Sequence, residues 1–163
     1  MFNPAGVVKQ LLDHQVEFVV IGGMAMRIHG SAHVTEDLDI CYRRTPDNIA
    51  ALAAAFASLH PYLRGAPPGL PFRFDAPTIK AGLNFTLDTD LGEVDLLGEV
   101  AGVGNDERVF ALSEEHPLFG MQVRVLTLDA LIASKKAAGR VKDQGHLLEL
   151  EELRKLKETP PEA

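Results

Sequence analysis

The chain has 163 residues, close to the size of one average domain, so a single core is expected. Hydrophobic residues make up 46% and charged residues 24%, which excludes global disorder. A net charge of −7 excludes a duplex-coating surface, though not a local basic pocket. The single cysteine, Cys41, excludes an internal disulfide and a cysteine metal cage.

In chain order, Ala5 to His14 carries Val7, Val8, Leu11 and Leu12 at helical spacing and predicts an amphipathic helix. Val16 to Ile21 is a β-branched run that reads as a buried strand, turned by Gly22-Gly23. A short helix over Met24 to His29 follows, stopped by Gly30. Glu36 to Arg44 alternates as a second strand. Thr45 caps the next helix, with Pro46 at its first position and Asp47 near its positive end, and the helix runs to Leu59. His60 to Pro77, rich in Pro and Gly, reads as one long loop, functional or mobile in character. Leu83–Thr89 and Glu93–Leu97 form a hairpin. Gly98 to Gly104 is a glycine-spaced connector, and Met121 to Leu126 a short strand. Thr127 caps a helix over Leu128 to Ala138, ended by Gly139, and Lys142 to Lys157 forms a last helix with a stripe of Leu147, Leu150, Leu153 and Leu156. The order predicts an α+β (α/β) fold, a mixed β-sheet flanked by helices. Residues 1–126 form the core, 127–158 a C-terminal helical pair packed on it, and 159–163 a flexible tail. The longest apolar stretch without charge, Ile49 to Leu59, is too short for a bilayer, which needs about 18–20 residues. Met1-Phe2-Asn3-Pro4 has no basic-then-apolar leader pattern. A cytoplasmic protein with no membrane partner is therefore expected.

Chemistry concentrates in Val20-Ile21-Gly22-Gly23 and, after a thirteen-residue spacer, Asp37-Leu38-Asp39-Ile40. Strand alternation puts Asp37 and Asp39 on one face and Leu38 and Ile40 on the other. Two carboxylates roughly 6–7 Å apart by the strand rise repel unless a cation lies between them. All-oxygen ligands select a hard ion such as Mg²⁺ or Mn²⁺. Gly22-Gly23 lets backbone approach a ligand, and the helix start behind it offers free N–H groups to phosphate. A triphosphate carrying Mg²⁺ suits both halves. Asp95, an acid within the apolar strand Glu93 to Leu97, is the candidate third ligand; Asp88 and Glu93 lie nearer a turn and are weaker candidates.

Gly22-Gly23, the spacer, Asp37-Leu38-Asp39 and Asp95 resemble the nucleotidyltransferase superfamily, the polymerase-β-like fold. Ile21 to Met26, His29-Gly30 and Thr35 to Ile40 look most like its small bacterial branch, which includes abortive-infection toxin–antitoxin nucleotidyltransferases; Lys135-Lys136 and Arg140 to Asp143 look like it too. The resemblance implies transfer of a nucleoside monophosphate from an NTP, such as ATP, to a hydroxyl on a tRNA end, a protein or a small molecule. It implies metal binding by Asp37, Asp39 and Asp95, with Asp95 also helping to deprotonate the acceptor, and triphosphate contacts from Gly22 and Gly23. A non-catalytic nucleotide- or partner-binding module is the alternative, and a toxin or antitoxin is the implied protein partner.

His33 stands where this branch often carries Arg, so Arg27, or Arg43 on the Asp37/Asp39 face by parity, is the expected phosphate anchor. Thr35 completes the expected nucleotide-binding set with Ser31 and Lys135. For Ser31 a capping role stands equally open, and for the Lys135–Lys142 cluster so does a solvated helix face or a clamp between the two helices. Cys41 reads as a packing residue, His29 and His33 as loop or helix-end residues, and the leucine stripe as core or as the seam of a homodimer.

Overall fold

The computed structural model describes residues 1–158; the tail expected at 159–163 lies outside the described residues. The main sheet is built from β1 (Phe18–Ile21), β2 (Asp37–Tyr42), β3 (Tyr62–Leu63), β4 (Phe85–Thr89), β5 (Gly92–Leu97), β8 (Ser113–Leu118) and β9 (Met121–Leu126). Its seven strands run in the order β3-β4-β5-β2-β1-β9-β8. β2 pairs with β1 antiparallel and with β5 parallel, and β1 pairs with β9 parallel, so the sheet is mixed as expected. The strands β6 (Glu99–Val100) and β7 (Gly104–Asn105) form a separate two-stranded ribbon within the glycine-spaced connector.

Among the described residues, seven α-helices flank the sheet: α1 (Pro4–Asp13), α2 (Gly22–Ile28), α3 (Pro46–Phe56), α4 (Ala76–Ala81), α5 (Asp106–Ala111), α6 (Leu128–Ala138) and α7 (Val141–Glu158). The side-chain oxygens of Thr45 and Thr127 accept from Asn48 N and Ala130 N, capping α3 and α6, and Gly139 ends α6 at φ 62°. On one face of the sheet, Leu38, Ile40, Leu87, Val94 and Leu96 are fully buried. Edge-to-face contacts from Phe56 to Phe74 and from Phe74 to Phe85, with ring centroids 5.6 and 5.5 Å apart, tie α3 to β4 there. The opposite face carries Asp37, Asp39 and Asp95 and receives residues of α6 and α7.

Four further elements depart from the sequence reading. The loop expected over 60–77 contains β3 and leads into α4, which has Asp75 as its cap and Pro77 in its first turn. Neither α5 nor β8 was expected. The side chain of Asn105 caps α5, and β8 is an edge strand whose polar residues hide its pattern. Among the described residues, no helix is long and apolar enough to cross a membrane.

α7 is held by the leucine stripe: Leu150 is fully buried and Leu147 and Leu153 pack against the core, whereas Leu148 and Leu156 are exposed. Leu150→Ala should therefore cost about 2–5 kcal/mol in chemical denaturation, and Leu148→Ala no more than about 0.5 kcal/mol.

Candidate active site

Pairing register assembles the acids. Asp39 on β2 sits directly beside Asp95 on β5, and Asp37 opposite Glu93. Asp37, Asp39 and Asp95 each present an oxygen within 4.8 Å of the others. They form the floor of a cleft of about 280 Å³, walled by Gly23, Thr35 and His33 on one side and by Lys135, Arg140, Lys142 and His146 on the other.

Gly22, at φ 63°, turns the chain from β1 into α2; a Cβ there would come within 2.0 Å of Asp39 Oδ2. A side chain at this position would collide with the carboxylate, so the glycine is a steric requirement as well as a conformational one. At Gly23 a Cβ would meet Thr35 Oγ1 at 2.9 Å. The Thr35 hydroxyl donates to Asp37 O and Oδ1, at 3.0 and 3.1 Å, orienting that carboxylate at the strand's start.

Burial, with the charges of Asp37 and Asp95 beside it, pushes the Asp39 carboxyl up to about 8. Asp39 Oδ1 is buried with no hydrogen-bond partner among the described residues. Asp95 Oδ1 likewise accepts no hydrogen bond, although Arg64 Nη2 stands 3.0 Å away as an ion pair. Crowded carboxylate oxygens without donors fit a hard divalent cation, and the all-oxygen set favours Mg²⁺ or Mn²⁺ over softer ions.

The cationic wall has its own anchor. Asp143, 2% exposed at the start of α7, accepts from Lys135 Nζ at 3.2 Å and from Arg140 N, Nε and Nη2 at 3.2, 2.7 and 3.2 Å. The Arg140 hydrogen bonds, with help from Lys135, pull its carboxyl down to about 2. Lys135 and Arg140 are thus fixed over the acids by one buried counter-charge. The clamp between the helices and the basic wall of the cleft are the same structure.

Arg27, Ser31 and Arg43 are not brought to the cleft. Arg27 lines a separate hollow with Phe2 and Phe119. Ser31 is buried and accepts from the His33 N–H at 3.0 Å, a loop-fixing role. Arg43 does share strand parity with Asp37, but six residues along the strand is about 20 Å. There it pairs with Glu17 at 3.2 Å and lies over the Phe110 ring at 4.1 Å, beside a larger hollow of about 600 Å³. Cys41 is buried and burial pushes its thiol up to about 12, which makes it inert.

Two contributors escaped the sequence reading. Arg64, just past β3, reaches the acid face and also meets Asp88 at 3.3 Å and Glu93 at 3.7 Å. His146 on α7 packs its ring 4.3 Å from that of His33. Burial, with Lys135 and His33 nearby, holds the His146 imidazole below its ordinary range. Only the Pro/Gly-rich context of Arg64 was a signal, and it named the loop without naming the residue.

No protein-family model and no curated protein matches the chain. Solved structures do. A Thermotoga maritima protein described as a candidate nucleotidyltransferase superposes with a TM-score of 0.52 at 16% identity, over 98% of this chain and 97% of that one. The antibiotic-resistance factor ANT(2'')-Ia superposes in its crystal complex with adenylyl-2''-tobramycin with a TM-score of 0.59 at 14% identity, over 92% and 84% of the two chains. Its solution structure gives 0.53 at 12% identity, over 79% and 65%. The fold is therefore that of the nucleotidyltransferases, as the sequence resemblance implied.

A raised Asp39 carboxyl has a definite linkage sign. Its unfolded value is near 3.8, so its contribution to stability is fully present below that and is lost as pH rises toward 8. Thermal melts in a chelating buffer should show melting temperature falling from pH 5 to pH 8. Asp39→Asn should flatten that slope and melt higher than wild type at pH 8.

Proposed function

We propose that the chain is a metal-dependent nucleotidyltransferase that moves a nucleoside monophosphate from an NTP to a hydroxyl acceptor. One observation carries the reading: three carboxylates, two of them with a buried oxygen that accepts no hydrogen bond, converge beside the Gly22-Gly23 corner, under a wall of Lys135, Arg140 and Lys142. In the proposed reaction the acceptor oxygen bonds to the α-phosphorus, the bond to the bridging α–β oxygen breaks, and pyrophosphate leaves with its electron pair. Asp37, Asp39 and Asp95 would hold Mg²⁺ or Mn²⁺, which supplies charge neutralisation on the phosphates. Lys135, Arg140 and Lys142 bind the departing phosphates, Gly23 lets them approach the backbone, and Asp95 takes the acceptor's proton. The His33–His146 pair, its rings tilted 60° to one another, lines the same cleft.

The acceptor is a small molecule on this proposal. The cleft is about 280 Å³, the chain is acidic, and the relative solved with adenylyl-2''-tobramycin shares the fold. A tRNA end or a protein hydroxyl, as in a toxin–antitoxin pair, is the competing acceptor class. A second reading, a nucleotide-binding module without turnover, is favoured by the ion pair from Arg64 to Asp95, which sets a competing positive charge against an oxygen the metal needs.

Labelled NTPs, Mg²⁺ and a panel of aminoglycosides, tRNA and protein acceptors test these readings. Label should pass to an aminoglycoside, and Asp37→Ala should lower the rate by about 10²-fold or more. Binding of NTP without label transfer to any acceptor supports the module instead. Calorimetry with Mn²⁺ separates the two roles of Arg64: Arg64→Gln should tighten metal binding if the guanidinium competes for Asp95, and leave it unchanged if it does not.

A further inference from the structure

A second cluster lies outside the acid cleft. His29 ends α2, and Glu114 and His116 project from β8; each offers a ligand atom within 4.8 Å of the others. The His29 ring is buried and Nε2 stands 2.8 Å from the backbone carbonyl of Leu126. A carbonyl only accepts, so Nε2 carries the proton and Nδ1 presents a lone pair. An imidazole fixed in this way, with one nitrogen bound to backbone and the other free to donate electrons, is the arrangement that orients metal-ligating histidines. What meets Nδ1 is Lys157 Nζ, 3.0 Å away on the last turn of α7. His116 stacks edge-on against His29 with ring centroids 5.4 Å apart, and its Nε2 is 2.9 Å from Glu114 Oε1.

We propose that His29, Glu114 and His116 form a metal site for a borderline divalent ion such as Zn²⁺, which displaces the Lys157 amine from His29. Two imidazoles and one carboxylate match the donor preference of Zn²⁺ and not that of Mg²⁺, so this site and the acid cleft select different ions. Zinc–ligand bonds of about 2.0–2.2 Å place ligand atoms roughly 3.3 Å apart, so the cluster must contract. That movement falls on Glu114 and His116, whose side chains are 49% and 28% exposed, while His29 stays fixed. Glu114 and Lys157 also line an open hollow with Thr127 and Arg154, which supplies an entry path. Because Lys157 belongs to α7, loading the site frees that end of the helix from the end of α2.

Calorimetric titration of the untagged full-length chain with Zn²⁺ in excess Mg²⁺ tests this. One equivalent should bind to the wild type and to Asp39→Asn alike. Glu114→Ala and His116→Ala, both changes at exposed or half-exposed positions with folding checked by circular dichroism, should each weaken it by about tenfold or more. Lys157→Ala should bind at least as tightly as wild type. The proposal fails if no saturable Zn²⁺ binding survives excess Mg²⁺, if His116→Ala binds as wild type does, or if Asp39→Asn removes the equivalent, which would put the ion in the acid cleft.

Discussion

Repulsion among like charges organises this molecule. The parallel register of β2 and β5 sets Asp39 beside Asp95, with Asp37 next on the same face. Bringing carboxylates so close on a half-buried surface is costly unless cations share the space. The surrounding structure is arranged as that compensation. Lys135 and Arg140 approach from the helical side, and Arg64 from beyond β3. The glycine at the corner of β1 and α2 leaves room for the Asp39 side chain.

The cations need restraint of their own, because long side chains left free would simply neutralise the acids or turn to solvent. Buried Asp143 provides it, gripping Lys135 from α6 and Arg140 from the α6–α7 junction. The last helix is docked in turn by Leu150 and its neighbours on the stripe. Apolar packing of α7 thus sets where Asp143 stands, and through it how positive charge is presented above the acidic floor.

Much of this was legible in the residues. The alternation around Asp37 and Asp39 gave their shared face, because strand parity is a local property, and an acid within the apolar run Glu93 to Leu97 marked Asp95 as the candidate that the pairing of β2 with β5 then brings alongside. Thr127 and Gly139 marked the ends of α6 through capping chemistry that is equally local. What stayed hidden depends on distance along or across the chain. Parity placed Arg43 on the acid face correctly but said nothing of its position at the strand's far end. Arg64 and His146 arrive from segments whose relation to the acids is set only by tertiary packing. α4 was obscured by the prolines around it, although Pro77 in a first turn is favourable there. β8 was obscured because edge strands face water and need no apolar alternation.

Both margins of the sheet are blunted. β3 is only two residues long, and β8 carries exposed Glu114 and Glu115 and ends in Pro117-Leu118, where the proline has no N–H to offer a neighbouring chain. A growing ladder of strands from separate molecules finds no continuous template at either side. This should keep concentrated solutions free of cross-strand aggregates, and it directs any self-association toward helical surfaces instead.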